Sequence, residues 1–321
     1  MEYRSLGHTG VQVSRLCFGT MSFGGDADEP TSHALYQRCR EAGINFFDTA
    51  DVYNAGRSEA ILGKLIAAER DDLVIASKAH FPTGKAPTAR GSSRYHLVRA
   101  VEASLRRLGT DRIDILYLHH YDAHTALDDT LKSLELLIEQ GKVLYPAASN
   151  FAAWQAMRAL GIAERHGWAK LAVLQPMYNL AKRQAEVEIL PMAEAMGLGV
   201  CSYSPLAGGL LSGKYDAADA QGRLTTNAMY KTRYGAPTYH ELAARFSALA
   251  RELGFHPATL AVAWVASHPA ITAPILGARN PAQLEPALGA LDVPMTPELR
   301  ARLSQLAPAP PPATDRTEER R

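Results

Sequence analysis

The sequence predicts an α/β fold, a (β/α)8 TIM barrel with an N-terminal β-hairpin plugging the barrel bottom and extra C-terminal helices. Short runs rich in Val, Ile, Leu and Phe alternate with longer amphipathic stretches, as parallel strands alternate with crossover helices. Eight such runs can be marked, at 15–18, 44–47, 73–77, 114–118, 143–148, 171–174, 199–203 and 272–276. The length of 321 residues accommodates a barrel of roughly 250 residues with additions.

Ahead of the first run, residues 3–6 and 11–13 flank Gly7-His8-Thr9-Gly10, whose glycines suit a tight turn between paired strands. That hairpin is the expected plug. The helical segment 92–108 repeats Val98, Val101, Leu105 and Leu108 at three- and four-residue spacing, and 127–140 stops at Gly141. Both belong to the outer ring. Residues 211–237 mix polar, Gly and aromatic residues without clear periodicity and exceed an ordinary βα connection, so they are a candidate cofactor or substrate lid. Residues 1–306 are expected to form one barrel domain. The tail 307–321, opening with Ala307-Pro308-Ala309-Pro310-Pro311-Pro312 and ending in charges, is expected to be disordered.

Thirty-four Lys and Arg against thirty-three Asp and Glu leave a net charge of +1, so no broad field gathers nucleic acid or an anionic membrane. Any anionic ligand must be held locally. Cys17, Cys39 and Cys201 are far apart and fit neither a disulfide framework nor a zinc knuckle, which suits a reducing cytoplasm. The first residues carry no apolar signal region, and no run approaches about 18 uninterrupted apolar residues.

In such a barrel, working side chains sit at strand C-termini and in the loops that follow. The second run leads into Phe47-Asp48-Thr49-Ala50-Asp51-Val52-Tyr53, the third ends in Ser77-Lys78, and the fourth leads into His119-His120-Tyr121-Asp122. Asp48, Tyr53, Lys78 and His119 therefore converge on one rim. As a set they suit carbonyl reduction: the phenol donates a proton, and a nearby Lys78 ammonium draws its pKa down from ~10. Asp48 holds Lys78 charged and aimed, and His119 orients the substrate oxygen. Singly, each has a structural explanation: Asp48 as a turn cap, Lys78 as a solvated strand-end charge, Tyr53 as packing and His119 as a satisfied histidine. His119, His120, Asp122 and His124 also raise a metal reading, but adjacent strand residues point to opposite faces, which separates His119 from His120.

FFDTADVY, a strand-ending SK and LHHYD, in that order and spacing, resemble the aldo-keto reductases over residues 2–306. The resemblance implies a catalytic tetrad of Asp48, Tyr53, Lys78 and His119 and an NADPH-dependent reduction of aldehydes and ketones, with a small-molecule carbonyl as substrate. It implies that Ser149, Asn150 and Gln175 bind the nicotinamide carboxamide, that Tyr203 stacks on the ring, and that Gly19, Thr20 and Met21 run beside the cofactor. Ser204, Pro205, Leu206, Gly208 and Lys214 lie in a run similar to the family's pyrophosphate-covering loop. Gly277, Arg279 and Gln283 resemble the adenosine end, where Arg279 suits the 2′-phosphate and favours NADPH over NADH. Ser149 equally suits a helix N-cap, and Tyr203 and Arg279 taken alone suit core packing and a surface cation. Phe23, Phe81 and His120 are candidate substrate-pocket residues.

No GxGxxG fingerprint opens a helix: Gly197-Leu198-Gly199 precedes a strand and is followed by Ser202 where the third glycine belongs. A doubly wound dehydrogenase is thereby disfavoured. A metal-dependent barrel hydrolase would need a ligand pair such as His-x-His after the first strand, which Arg15-Leu16-Cys17-Phe18-Gly19-Thr20 does not contain. The alternative is a nucleotide-binding redox sensor with little turnover, since potassium-channel β-subunits also resemble this family. The chain departs from the family pattern at Asp51, where glutamate is usual, and at His120, where arginine is common. It departs again at Pro146-Ala147 and at Ala287, where many relatives have an adenine-contacting asparagine. Pro146 lacks an N–H and is expected to disturb strand pairing.

Overall fold

A computed structural model of the chain describes residues 1–216, 222–314, 316 and 318. Strands β1 (Tyr3–Ser5) and β2 (Gln12–Ser14) form an antiparallel hairpin. The remaining strands are β3 (Cys17–Gly19), β4 (Phe46–Asp48), β5 (Val74–Ala79), β6 (Ile113–Leu118), β7 (Val143–Ser149), β8 (Val173–Gln175), β9 (Gly199–Val200) and β10 (Ile275–Leu276). These eight pair in parallel in chain order, with β10 beside β3. Beyond the regular ladder, Thr272 N–H donates to Val200 C=O (2.9 Å) and Ile275 N–H to Ser202 C=O (2.8 Å), which closes the ring between β9 and β10.

Around it run α1 (Glu29–Glu41), α2 (Arg57–Ile66), α3 (Arg94–Leu108), α4 (Leu127–Glu139), α5 (Ala153–His166) and α6 (Ile189–Ala195). After β9 come α7 (Arg223–Thr226), α8 (Ala228–Tyr234), α9 (Pro237–Glu252) and α10 (Pro257–Ala266). The helices α11 (Pro281–Leu288) and α12 (Pro297–Ser304) follow β10. Local chemistry sets these limits. The Ser93 hydroxyl accepts from His96 N–H at the start of α3, Gly109 ends it in the left-handed conformation (φ 63°), and Leu97, Val101 and Leu108 are buried between.

The hairpin plugs the barrel as expected. Leu6 and Val13 are wholly buried among the inward-facing Cys17, Phe46, Ala76, Ile115 and Val173. Gly7 has φ +55°, and a Cβ there would lie 2.5 Å from Gly199 N, so only glycine lets the turn press onto the barrel floor.

Several expected boundaries move. The last strand begins at Ile275, not 272, because Pro274 has no N–H for a ladder. The seventh stops at Val200, and Tyr203 makes only an isolated bridge to Met177, since Pro176 ends the neighbouring β8. Regular pairing in the first strand starts at Cys17. Pro146 does not disturb β7: its C=O accepts from Ala172 N–H (2.8 Å), and its ring nitrogen faces the same side, ahead of the start of β8.

The segment expected to form a lid carries short helices and turns where it is described. Ala207–Ser212 and Lys214–Asp216 form 3₁₀ turns, and α7 and α8 follow, with the Asn227 side chain capping α8 through Met229 N–H (3.0 Å). Burial of Leu224, Tyr230 and Tyr234 fixes these short helices although their pattern is too brief to read. Residues 217–221 of that segment, and residues 315, 317 and 319–321 of the tail expected to be disordered, lie outside the described residues. Among the described residues no helix is long and apolar enough to cross a membrane.

Candidate active site

Strand side chains alternate between barrel interior and helical layer. The interior cluster takes Cys17, Phe46, Ala76, Tyr117, Ala147, Val173, Cys201 and Ile275 from successive strands. Two residues further along each strand path stand Gly19, Asp48, Lys78, His119, Ser149, Gln175, Tyr203 and Gly277. Polar and small residues thus replace apolar ones in the last inward layer, at the C-terminal rim.

Lys78 is 1% exposed and Asp48 3%. Lys78 Nζ donates to Asp48 Oδ1 in a close contact, to Thr49 C=O (2.8 Å) and to Tyr53 Oη (3.3 Å). Gln175 Nε2 donates to the other Asp48 oxygen at 2.8 Å. Tyr53 opens a 3₁₀ turn in which Asn54 and Ala55 take left-handed φ values of 50° and 57°. Asn54 Nδ2 donates to Met21 C=O (2.9 Å) and Phe23 C=O (2.7 Å), tying the loop after β4 to the loop after β3. The strained turn is held from outside. His119 presents its ring edge-on to Tyr53 (6.0 Å between centroids) and to Phe81 (4.7 Å).

Burial pushes Lys78 down, but Asp48 and Tyr53 pull it up, and the net direction is upward. It is an ammonium. Burial carries Tyr53 above the ordinary phenol range, with Lys78 pulling it back only in part. The expectation of a phenol drawn down by Lys78 is corrected: desolvation wins. Burial and the Lys78 charge take His119 down to about 2, so its imidazole is neutral at ordinary pH. His119 Nδ1 is buried with no partner among the described residues.

Where the nicotinamide was expected to bind, Ser149 Oγ donates to Gln175 C=O (2.9 Å). Asn150 has φ +57°, its Nδ2 donates to His119 C=O (2.9 Å), and its Oδ1 accepts from Tyr203 O–H (2.8 Å). Beyond Tyr203, Ser204, Ala207, Gly208 and Gly209 all have positive φ, so the backbone turns sharply there. Pro205 is buried and Leu206 half-buried, while Lys214 is exposed, with its ammonium 4.7 Å from the centre of the Tyr215 ring. At the far end Gly277 faces open space, and Arg279 N–H donates to Gln283 Oε1 (3.2 Å). A cleft of about 350 Å3, lined by residues including Met21, Asp26, Tyr53, Arg223, Tyr230 and Arg279, connects the phenol with Arg279. A bare strand-end glycine, a rim of amide side chains, a half-buried aromatic ring and a guanidinium at the cleft's end make a donor set that fits a nicotinamide dinucleotide.

Some expected site residues are placed differently. Phe23 is wholly buried against Phe18 (5.9 Å), so its ring belongs to the core and only its carbonyl reaches the site, through Asn54. Thr20 is also wholly buried, its hydroxyl against Ser58 Oγ (2.8 Å). Phe81, 37% exposed, does stand at the rim, as does the exposed His120, whose Nδ1 is 2.8 Å from Tyr121 O. His119 is buried and His120 exposed, so the pair does not converge on an ion. Sequence reading did not single out Asn54 or Asp26, and it reached Arg223 and Tyr230 only as part of the 211–237 segment. Asn54 alone carried a signal, since asparagine tolerates the left-handed region beside a rim tyrosine. Asp51, noted in the sequence only as standing where glutamate is usual, is 2% exposed, and neither carboxyl oxygen has a side-chain or backbone partner among the described residues. The charged neighbours affecting Asp51 include Glu59, Arg107 and Lys78.

The sequence matches the Aldo/keto reductase family over residues 15–308. It is 40% identical over 321 residues to a Bacillus subtilis (strain 168) protein named uncharacterized oxidoreductase YrpG, covering 97% of each chain. It is 36% identical to a probable voltage-gated potassium channel subunit beta of Oryza sativa subsp. japonica, covering 98% of this chain and 99% of that protein. A putative aryl-alcohol dehydrogenase of Schizosaccharomyces pombe (strain 972 / ATCC 24843) is 34% identical over 294 residues, covering 82% of this chain and 84% of that protein.

Proposed function

The chain belongs to the aldo/keto reductase family and is an oxidoreductase, and we propose that it reduces aldehydes and ketones to alcohols with NADPH, Tyr53 donating the proton. The carrying observation is the contiguous Asp48–Lys78–Tyr53 network with a neutral His119 edge-on to the phenol. Bound NADPH supplies the hydride.

The residues supply everything else. Tyr53 keeps its proton through neutral pH because burial raises its pKa, and it releases that proton to the carbonyl oxygen as negative charge develops there. The Lys78 ammonium, held by Asp48, stabilises the phenolate left behind. His119, neutral, offers an N–H donor that orients the carbonyl oxygen without adding a competing positive charge. Ser149, Asn150, Gln175 and Tyr203 would hold the nicotinamide. Residues 204–214 would cover the pyrophosphate, and Arg279 with Gln283 would take the adenosine end. The ring of Phe81 beside His119 favours flat, aromatic carbonyls, in keeping with the relative named as a putative aryl-alcohol dehydrogenase.

Purified protein mixed with NADPH and a panel of aryl and aliphatic carbonyls tests the reading through loss of reduced-nicotinamide absorbance. No consumption with any carbonyl would defeat it. The similarity to a probable potassium channel subunit beta supports a second reading, a nucleotide-binding regulatory subunit. Tight NADPH binding without turnover, together with a stable protein partner in a pull-down, would favour that one.

A further inference from the structure

Arg279 does not stand alone at the end of the cleft: its Nε lies 3.1 Å from Asp26 Oδ2. The same carboxylate oxygen is 4.0 Å from Arg223 Nη2 of α7. Asp26 is thus set between a guanidinium that follows β10 and one from the segment covering the cleft, and all three residues line the cavity that reaches Tyr53.

The position of Asp26 is built. Phe23 and Ala27, 0% and 1% exposed, anchor the two ends of its turn and pair in an isolated bridge. Gly24 N–H donates to Ala27 C=O (2.8 Å), and Ser22 Oγ donates to Ala278 C=O (2.7 Å), fastening this loop to the residue next to Arg279. Gly25 packs so closely on Asn54 that a Cβ would lie 2.5 Å from Asn54 Oδ1. Asp26 therefore projects from a short, fixed turn, and its carboxylate meets Arg279 without a long flexible arm.

We propose that Asp26 is a cofactor-specificity determinant, competing with the 2′-phosphate of NADPH for Arg279 and thereby narrowing the protein's preference for NADPH over NADH. The proposal rests on the reading of Arg279 as the 2′-phosphate clamp. A dianionic phosphate arriving there must displace Asp26 or share its cation with it, and two anions at one guanidinium repel. NADH carries a ribose hydroxyl in that place and meets no such opposition. Part of the selectivity that Arg279 gives is withheld by a residue of the same chain.

Isothermal titration calorimetry on the full chain, with NADP+ and NAD+ as separate ligands and no carbonyl or alcohol present, reads this without turnover. Asp26→Asn is expected to tighten NADP+ on the order of tenfold while changing NAD+ by less than about twofold. Asp26→Ser, which removes the charge without leaving an amide, must move the same way. In an Arg279→Ala background the selective gain from Asp26→Asn should vanish. If Arg279→Ala weakens NADP+ but neither Asp26 variant changes the NADP+ to NAD+ ratio, the role of Asp26 is overturned and the clamp reading stands. If Arg279→Ala leaves NADP+ binding unchanged, the clamp reading itself fails and the proposal falls with it.

Discussion

Lys78 Nζ is within 3.3 Å of Tyr53 Oη while its closer partner is Asp48, so one buried ammonium is shared between a carboxylate and a phenol. The carboxylate keeps the cation in place, and the phenol feels it at a distance that does not overcome burial. On the proposed function, Tyr53 is a proton donor that stays protonated until charge appears on the substrate. Tyr53→Phe is expected to lower kcat for carbonyl reduction by about 10²–10⁴ while leaving cofactor dissociation constants nearly unchanged. Wild-type rates on every accepted carbonyl would remove Tyr53 from the chemistry.

Lys78 and Asp48 also form an ion pair almost without solvent, at 0% and 4% side-chain exposure. Removing one member leaves a bare charge inside the barrel, which costs about 3–5 kcal/mol, whereas removing both does not. Lys78→Met should therefore unfold in markedly less urea than wild type, and Lys78→Met with Asp48→Asn should recover part of the loss. Losses that simply add would mean the two residues are not coupled in stability.

The barrel was legible because eight apolar runs separated by amphipathic stretches have few other ways to bury both faces of a parallel sheet. The rim was legible for the same reason that placed it: Asp48, Lys78 and His119 continue the inward parity of Phe46, Ala76 and Tyr117. What escaped depends on contacts distant in sequence. The helices α7 and α8 are too short for a period to declare itself, and they are fixed by burying Leu224, Tyr230 and Tyr234. Phe23 looked like a pocket wall because its loop reaches the site, yet its ring turns back onto Phe18. The net direction at Tyr53 was missed because pairing with Lys78 is visible in sequence, while the depth of burial is not.

Asp51 supplies a pH test. Burial first, then the charge of Glu59, raise its carboxyl from 3.8 to about 7, against a weaker opposing pull from Arg107. The folded protein then holds this proton more tightly than the unfolded chain, so the contribution is full below about 4 and is lost as pH rises through about 7. Above that, an ionised and buried Asp51 works against the fold by up to a few kcal/mol. Asp51→Asn is expected to raise the melting temperature relative to wild type at pH 8 by clearly more than at pH 5. A difference of the same size at both pH values would show that the side chain does not titrate between them.

Asn54 joins two loops through Met21 C=O and Phe23 C=O and does so from a left-handed backbone, so its replacement separates two effects. Asn54→Ala loses both donors and keeps the strain; Asn54→Gly loses the donors and relieves it. If the hydrogen bonds position Tyr53, both variants should lower kcat about tenfold or more with a smaller change in KM, because a proton donor displaced by a fraction of an ångström loses its line to the carbonyl oxygen. Stability should distinguish them, with Ala costing about 1–3 kcal/mol and Gly less. Wild-type kcat in Asn54→Gly would assign the residue to backbone conformation alone and detach it from the placement of the phenol.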